Sequence, residues 1–392
     1  MDFAFGEKEE EFRQEVQDFL KNVVTPEMVE ERSGGKYYER GPHSKELMRK
    51  VGEKGWLALT WPEEYGGQGR PLADRFVFAE EMLNCGVAAG GSGIAIVGPT
   101  LMRHGTEEQK KEWLPKIARG EIEFSLGYTE PDAGTDLASL QMRAVRDGDD
   151  YIINGQKVYS TMAHQVGYHW LAARTNVDEP KKHKGISLFM VDLKSPGVTI
   201  RPLKTIADEL TAEVFYDNVR VPAKNRVGEE NQGWYYIAEA LDFERSLVVN
   251  IVNSKKIVEG LIEYAKETKH KGRPLAEDPF VRQGLAQLWI EVNIKRLLGW
   301  RTAWLESQGI VPNVEAAVLK VFGHELDQRV AKTGMEILGL YAQLEPGSKW
   351  APLKGIIEHL YRFAIHLSYG GGSHELMRTI IASRGMGLPR LH

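Results

Sequence analysis

Cysteine is almost absent from this chain, since Cys85 is the only one among its 392 residues. A single thiol excludes an internal disulfide and any metal site built from several cysteines, and an isolated cysteine is typical of buried packing. No window approaches the ~18 consecutive apolar residues of a membrane span. The acidic, amphipathic start MDFAFGEKEEEFRQEV lacks the basic and apolar stretches of a targeting peptide. We therefore expect a cytoplasmic protein without a membrane partner.

An excess of positive charge is also missing. The formal net charge is −5, and no basic stripe of the kind that contacts nucleic acid is visible. Hydrophobic residues make up 42% and charged residues 27% of the chain, which is typical of a globular protein with a buried core. Composition thus disfavours nucleic-acid partners and intrinsic disorder.

The motifs of several large enzyme classes are absent as well. The sequence has no GxGxxG after a strand, no GxxxxGK[ST], no HExxH and no GxSxG. Nicotinamide dehydrogenases, P-loop enzymes, zinc hydrolases and α/β-hydrolases are therefore disfavoured. Two His-Glu pairs, at 324–325 and 374–375, lack a third ligand at metal spacing, so we predict no metal site.

The periodicity of apolar residues divides the chain into three blocks. Helical spacing extends to about residue 120, short β-rich runs follow from 124 to 222, and helical spacing returns at Trp234. We predict an all-α domain at 1–122, a β-barrel or sandwich at 123–229 and a helical bundle at 230–392. Segregated blocks of this kind indicate an α+β fold.

Local signals predict where individual elements begin and end. Pro26 should end the first helix, and Asp278 followed by Pro279 should begin a long one in the third block. Asn154 and Gly155 predict a type I′ hairpin turn between two strands. Further strands are predicted at residues 168–174, 186–193, 198–203 and 213–221.

A polar, glycine-containing loop joins the first block to these strands. Its sequence YTEPDAGTD, residues 128–136, is followed by DGDDYIINGQK at 147–157. The two segments together resemble the signature of the acyl-CoA dehydrogenases, and the resemblance extends over nearly the whole chain. It implies the fold of that family, with an N-terminal helical domain, a central β domain and a C-terminal four-helix bundle that also mediates assembly.

The resemblance implies FAD as the cofactor and an acyl-CoA thioester as the substrate. Dehydrogenation removes an α-proton and a β-hydride, and no amino-acid side chain accepts hydride. The implied cofactor contacts are Leu126, Tyr128, Thr129, Gly134, Thr135, Tyr159 and Thr161, with Ser373 and Glu375 near the adenosine. The implied substrate contacts are Thr135, Arg245 and Gly371.

The catalytic base is where this sequence departs from the best-known members of that family. Their base is the Glu of a YEGTS motif, whose counterpart here is YGGGSHELMR at 369–378, with Gly371 at the position of the Glu. A second subset, which includes branched-chain and steroid-type enzymes, takes its base from a helix that carries an ER pair. The matching residue here is Glu244, in LDFERS.

Helical spacing gives Glu244 a setting that suits a base. It shares a helix face with Val248 and Val252, while Arg245 is turned about 100° away. Burial on that face would raise the pKa of the carboxyl group and strengthen it as a base. The alternative is a salt-bridged glutamate at the surface or at an interface.

A second departure concerns FAD residues that homotetrameric members lend to a neighbouring subunit. Those members use an Arg and a Phe in RxxFG and a Gln in QxxGG, and the counterparts here are TKHKG at 268–272 and EILGL at 336–340. Thr268, Lys271 and Glu336 therefore replace the three lent residues, and the acid would repel a pyrophosphate.

These features look most like one subunit of the heteromeric acyl-CoA dehydrogenases that act on steroid side chains. We predict α,β-dehydrogenation of a bulky acyl-CoA, branched, cyclic or steroidal, with electrons passed to an electron-transfer flavoprotein. The partner would be a related subunit in a heterotetramer, or the chain itself in a homotetramer. Two alternatives stay open: an oxygen-using relative, such as an acyl-CoA oxidase or flavin monooxygenase, and a structural subunit that binds no flavin.

Overall fold

The computed structural model describes residues 6–32, 41–88, 90–245 and 249–389, excluding the side chains of residue 32 and residues 242–253. It consists of two compact units. A mixed unit contains Tyr38–Arg70 and Ala89–Glu244, and a helical unit contains Met1–Tyr37, Pro71–Ala88 and Arg245–His392. In the described part of the chain, no helix is both long and apolar enough to cross a bilayer.

The mixed unit combines helices with one large sheet. Its helices are α3 (Pro42–Glu53), α5 (Gly98–His104), α6 (Glu107–Ala118) and α7 (Gly233–Arg245). Its strands are β1 (Phe124–Gly127), β2 (Arg143–Asp147), β3 (Asp150–Lys157), β4 (Tyr168–Arg174), β5 (Ile186–Asp192), β6 (Val198–Lys204), β7 (Leu210–Pro222) and β8 (Arg226–Val227). The predicted strands at 168–174, 186–193, 198–203 and 213–221 are confirmed as β4 to β7.

The strands follow the order β6-β7-β3-β2-β4-β5-β8, with β1 paired in parallel to β4. Only Arg143 and Arg174 link β2 to β4, so the sheet divides there into two halves. Side chains from β3 and β7 in one half and from β4 and β5 in the other form a single apolar core, as in a sandwich. The predicted barrel or sandwich is therefore present, and the α+β class is confirmed.

The hairpin turn predicted at Asn154 and Gly155 is wrong. Strand β3 runs through both residues, and the turn lies earlier, between the paired residues Asp147 and Asp150. At Gly155 the pairing of β3 with β7 shifts register, as in a β-bulge. Its φ of 143° and the 3.1 Å that would separate a Cβ there from Met142 explain the glycine without a turn.

The outer face of β4 and β5 packs against helices of the same unit. Trp170 and Met190 from these strands share a core with Leu114 and Ile117 of α6 and with Val97, which precedes α5. Helix α6 starts at a capping box in which the side chains of residues 106 and 109 each bond the other's backbone amide. This packing fixes β4 and, paired to it, β1, which carries the first predicted cofactor contact, Leu126.

The helical unit is built around long helices. Its helices are α1 (Glu7–Val23), α2 (Pro26–Arg32), α4 (Leu72–Asn84), α8 (Val249–Glu267), α9 (Pro279–Ser307), α10 (Asn313–Leu338), α11 (Ile356–Phe363) and α12 (His374–Ile380), with a short hairpin of β9 (Lys269–His270) and β10 (Arg273–Pro274). Pro26 follows α1 and begins α2. The predicted cap is confirmed, because the Asp278 carboxylate accepts hydrogen bonds from the amides of Phe280 and Val281 at 2.8 and 3.3 Å.

Candidate active site

A buried ion pair anchors the loop that follows β1. The Lys157 ammonium at the end of β3 lies 2.8 Å from a carboxylate oxygen of Glu130, and it also donates to the Tyr128 carbonyl at 3.0 Å. The amides of Gln141 and Met142 donate to the same carboxylate at 2.6 and 2.9 Å. Both ends of the loop are thus tied to one carboxylate, which fixes its backbone.

Tyr159, two residues after Lys157, combines an exposed aromatic ring with a strained backbone. Tyr159 has a φ of 57°, which is uncommon for a residue with a side chain, and 66% of its surface is exposed. The Val158 amide donates to the Thr129 carbonyl at 2.9 Å, and the Ser125 hydroxyl donates to the Thr161 carbonyl at 2.7 Å. The segment from 158 to 161 is therefore tied to β1 and to the loop that follows it.

A second buried polar group lies behind this segment. The His169 ring in β4 bonds the Ser160 hydroxyl through Nε2 at 3.1 Å and the Tyr216 hydroxyl through Nδ1 at 2.6 Å. All three residues are buried. Burial, and then the charge of Lys157, lower the pKa of His169 to about 3, so the ring is neutral at ordinary pH.

Burial also lowers the pKa of Lys157, to about 8, against the opposing attraction of Glu130. The ion pair nevertheless keeps both charges compensated, since the carboxylate accepts two backbone amides as well. In Tyr216, burial raises the pKa of the phenol well above its usual range. The polar groups behind the loop therefore act as fixed hydrogen-bond partners rather than as acids or bases.

Five of the predicted cofactor residues come together in the mixed unit. Leu126, Tyr128 and Thr129 lie on β1 and the loop after it, beside Tyr159 and Thr161. The other two predicted residues of this loop, at 134 and 135, are exposed. Among the described residues, a Cβ at position 134 would meet no atom within 4 Å, so packing within that part of the chain does not require the glycine.

The predicted site residues Gly371, Ser373 and Glu375 lie in the helical unit. Gly371 has a φ of 67°, and the carbonyls on either side of it, at 370 and 372, both accept the Lys320 ammonium at 2.5 Å. The Ser373 hydroxyl accepts the Leu376 amide at 3.2 Å and so caps α12. Glu375, in the first turn of that helix, is exposed.

Glu244 and Arg245 are the last residues of α7. Their side chains, and the apolar stripe predicted through Val248 and Val252, lie outside the part of the chain that the structure describes. Their roles therefore stay predictions.

The surface formed by the mixed unit suits a flat aromatic cofactor. Tyr159 presents an exposed ring, the half-buried Thr129 and Thr161 lie beside it, and the open space at Gly134 would let a ligand approach the backbone. An exposed ring held in left-handed backbone conformation is costly by about 1–3 kcal/mol and is typical of functional sites. These residues fit the isoalloxazine half of FAD.

Sequence reasoning missed the residues that support this surface. Lys157 lies an even number of residues after the buried Tyr151 and Ile153 in β3. Because side chains alternate between the two faces of a strand, the sequence already indicated that Lys157 points inward. His169 carried no such signal, because its partners Ser160 and Tyr216 are distant in sequence. Only the pairing of strands brings these three side chains together.

Comparisons with known proteins identify the family of the chain. Three family models match in order: "Acyl-CoA dehydrogenase, N-terminal domain" at 6–121, "middle domain" at 125–219 and "C-terminal domain" at 231–386. Acyl-CoA dehydrogenase FadE26 of Mycobacterium tuberculosis is 39% identical over 100% of this chain and 99% of its own length.

Two solved structures are similar over the full length of both chains. The Tcur3481-Tcur3483 steroid ACAD has a TM-score of 0.91 at 36% identity, covering 100% of each chain. The ChsE4-ChsE5 complex from Mycobacterium tuberculosis has a TM-score of 0.91 at 39% identity, with the same coverage. The predicted three-domain fold is thereby confirmed. This chain belongs to the acyl-CoA dehydrogenase family, and it is an oxidoreductase that acts on CH–CH groups with FAD as its cofactor.

Proposed function

We propose that this chain dehydrogenates a bulky acyl-CoA thioester between its α and β carbons, with Glu244 as the base. The observation that carries the proposal is the left-handed glycine at position 371, where the best-known members of the family have their glutamate. A base must then come from elsewhere in the chain. Glu244 in the DFERS segment is the candidate that the family resemblance supplies.

The loop around Gly371 is a poor place for any side chain. An L-residue at a φ of 67° is strained, and a Cβ there would lie 3.4 Å from the Lys320 ammonium. Because Lys320 bonds the carbonyls of both neighbouring glycines, the loop keeps this shape. The glycine leaves room for a large acyl group, which supports a bulky substrate.

The residues of the mixed unit would bind and orient the cofactor. The Tyr159 ring would stack on the flavin, the hydroxyls of Thr129 and Thr161 would bond its polar edge, and the exposed loop at 134–135 would contact cofactor and substrate. FAD, when bound, supplies the acceptor for the β-hydride. Glu244 would take the α-proton, and closure of the site around the acyl chain would exclude water from that carboxylate.

The substrate class is inferred from the relatives. One of the solved structures named above is described as a steroid ACAD, and it matches this chain from end to end. The Gly371 loop and the DFERS segment agree with such a substrate. We therefore place a steroid side chain, or another branched or cyclic acyl group, above straight chains.

We further propose a non-identical partner subunit that completes the FAD site. Both similar structures carry names that pair two different subunits. In this chain Thr268 precedes β9, while Lys271 and Glu336 are exposed. Glu336 borders a groove of about 230 Å³ between α9 and α10, in which Arg329 is already neutralised by Glu291 at 2.7 Å. Lys332 also lines this groove, so two cations face two acids there and leave no net positive charge to attract a pyrophosphate.

Reduction of the bound flavin by a panel of acyl-CoAs tests the proposal. The FAD-loaded assembly is mixed anaerobically with straight, branched, cyclic and steroid side-chain thioesters, and bleaching of the flavin band is followed. We expect the fastest bleaching with the bulky thioesters and reoxidation by an electron-transfer flavoprotein. Rapid reoxidation by oxygen would instead favour an oxidase, and no bleaching by any thioester would favour a structural subunit.

A further inference from the structure

We propose that His169 is a positioning residue that, through Ser160, holds Tyr159 and Thr161 in the arrangement that faces the flavin. The inference rests on the proposed function, because it assumes that Tyr159 and Thr161 contact the cofactor. His169 itself is fully buried in β4, behind the residues proposed to contact the cofactor. Its effect on the flavin is therefore indirect.

The geometry places His169 directly behind the strained residue. Its Nε2 bonds the hydroxyl of Ser160, the residue between Tyr159 and Thr161, at 3.1 Å. The Ser160 amide donates to the Ala212 carbonyl at 2.9 Å, and the Thr161 carbonyl accepts the Ser125 hydroxyl at 2.7 Å. Three contacts from three different strands thus restrain the residues on the C-terminal side of Tyr159.

The backbone needs such restraint. Tyr159 at a φ of 57° and Met162 at 67° both lie in the left-handed region, which costs energy for residues with side chains. Left-handed residues this close together persist only when their surroundings over-determine the conformation. Two side-chain contacts reach the middle of this segment: the bond from His169 to the Ser160 hydroxyl and the bond from Ser125 to the Thr161 carbonyl.

The fold makes room for the histidine in a specific way. A Cβ at Gly127 in β1 would lie 2.5 Å from the His169 ring, so only glycine at that position admits the imidazole. On the opposite side the Tyr216 hydroxyl bonds Nδ1 at 2.6 Å. Because the ring is neutral, one nitrogen donates and the other accepts, so Ser160 and Tyr216 are joined through one oriented relay.

An ordinary core histidine would show the same burial, so the test must separate positioning from stability. Asparagine at position 169 places its amide near Nδ1 and keeps the bond to Tyr216, whereas glutamine reaches toward Nε2 and keeps the bond to Ser160. The pair His169→Asn and His169→Gln therefore removes one contact at a time from the same site. Each variant is studied in the FAD-loaded assembly that the full chain forms.

Two measurements are made on each variant. We expect His169→Asn to raise the dissociation constant of FAD about tenfold, the effect of losing roughly one net hydrogen bond. We also expect faster amide hydrogen exchange in the peptide 158–163 of the flavin-free protein. His169→Gln should stay within about twofold of the wild type in both, although both variants lose thermal stability.

Ser160→Ala provides a second route should His169→Asn fail to fold. It removes the same contact by deleting one buried hydroxyl, so it should reproduce the FAD and exchange effects. Combined with His169→Asn it should add nothing further, because both changes break one contact. Tyr216→Phe is the control: it shortens the relay at its far end and should leave FAD affinity unchanged.

Thr161→Ala separates the failure of this inference from the failure of the proposed site. If Thr161→Ala changes the flavin spectrum while His169→Asn and Ser160→Ala leave FAD affinity unchanged, the role of His169 is overturned and the site stands. If Thr161→Ala is silent in both spectrum and affinity, the proposed placement of the flavin is overturned. Equal effects of the asparagine and glutamine variants on FAD would also overturn the positioning role.

Discussion

The ammonium of Lys157 lies 2.8 Å from the carboxylate of Glu130, and the two side chains are only 0% and 9% exposed. This ion pair connects the end of β3 to the loop that carries Tyr128 and Thr129. Two backbone amides also donate to the carboxylate, so every charged group in the pair has partners. Glu130 lies in the YTEPDAGTD segment and Lys157 ends the DGDDYIINGQK segment. The two segments that carry the family resemblance are therefore in direct contact.

Replacing Lys157 with methionine should destabilise the protein severely. Methionine fills a similar volume, but it leaves the Glu130 carboxylate buried without its cation. Loss of one partner from a buried pair costs about 3–5 kcal/mol. Urea unfolding followed by circular dichroism measures the change, and FAD retention should fall with it.

Lys182→Met is the matched control for that experiment. It breaks an ion pair of similar length, 2.9 Å to Asp136 in the same loop, but its side chains are 67% and 61% exposed. Exposed pairs contribute about 0–1 kcal/mol. If both lysine variants lost the same small amount, the structural role of the buried pair would be refuted.

Glu244→Gln should abolish most dehydrogenation while FAD stays bound. Glutamine keeps the shape of the side chain but cannot take a proton, and loss of a general base typically lowers the rate by ~10²–10⁴. Anaerobic flavin bleaching by acyl-CoA measures the rate. Glu239→Gln on the same helix is the control, since Glu239 pairs with His104 at 2.8 Å and should be dispensable. Normal bleaching by Glu244→Gln would remove Glu244 from the mechanism.

Restoring a glutamate at position 371 should not rescue the Glu244→Gln variant. The left-handed backbone at Gly371 disfavours any side chain by about 1–2 kcal/mol, and Lys320 holds the loop in this shape. Bleaching by the double variant Glu244→Gln with Gly371→Glu should remain as slow as that of the single one. Recovery toward the wild-type rate would mean that the loop adapts and that the base can be moved.

The fold followed from the sequence where the signals were local and repeated. The strands at 168–174, 186–193 and 198–203 are bounded by turn residues and by alternation, and the structure places them almost at those limits. The Asp278 cap was predictable because capping depends on two adjacent residues. The hairpin was misplaced because Asn154-Gly155 and Gly148-Asp149 are both turn-like, and only pairing of β3 with β7 decides between them.

The candidate site was predictable only in part: the residues proposed to face the cofactor were predicted, and those that support them were not. The motif at 128–136 and the pair Tyr159 and Thr161 were found through resemblance, which reads a whole segment at once. Their supports, Lys157 and His169, depend on contacts between residues 9 to 47 positions apart. No periodicity within one element can report such contacts.

Stability should fall as the pH is lowered from about 6.5. The pKa of His169 lies at about 3 in the folded protein, because of burial and then of Lys157, against 6.5 when unperturbed. Below pH 6.5 the unfolded chain therefore binds a proton at His169 that the folded chain does not bind. Each further pH unit of acidification lowers the free energy of unfolding by up to about 1.4 kcal/mol through this one group. Burial lowers the pKa of His324 in the helical unit to about 3 as well, which acts in the same direction.

Urea unfolding between pH 5 and 7, above the titration of most carboxylates, measures this dependence. His169→Gln removes one of the titrating groups, so its free energy of unfolding should vary less steeply with pH than that of the wild type. His324→Gln should have a similar effect through the helical unit. Identical slopes for the wild type and both variants would contradict the assignment of these two histidines as buried and neutral.

Expressed alone, the chain should hold FAD poorly, and co-expression with a related subunit that retains RxxFG and QxxGG should give two FAD per tetramer. The reason is that Thr268 and Glu336 cannot supply the Arg and Gln that contact the cofactor of a neighbour. Gel filtration with flavin quantitation decides between the assemblies. A stable homotetramer of the wild-type chain with one tightly bound FAD per subunit would refute the heteromer.

Introducing the lent residues should turn the chain into a better homomeric flavoprotein. Thr268→Arg with Glu336→Gln adds a donor and removes an acid, whereas Lys271 is left in place because its φ of 51° would strain a phenylalanine. A hydrogen bond to a charged group contributes about 1.5–3 kcal/mol, so FAD affinity of the chain alone should rise roughly ten- to a hundredfold. Lys269→Ala and Arg273→Ala are the controls, since these exposed cations of the same hairpin are the other candidates for a phosphate contact. One outcome would refute the need for a second subunit. In it, Lys269→Ala or Arg273→Ala abolishes FAD binding by the chain expressed alone, and the double variant binds FAD no more tightly than the wild type. The cations of the hairpin would then already contact the phosphates of FAD in a homotetramer.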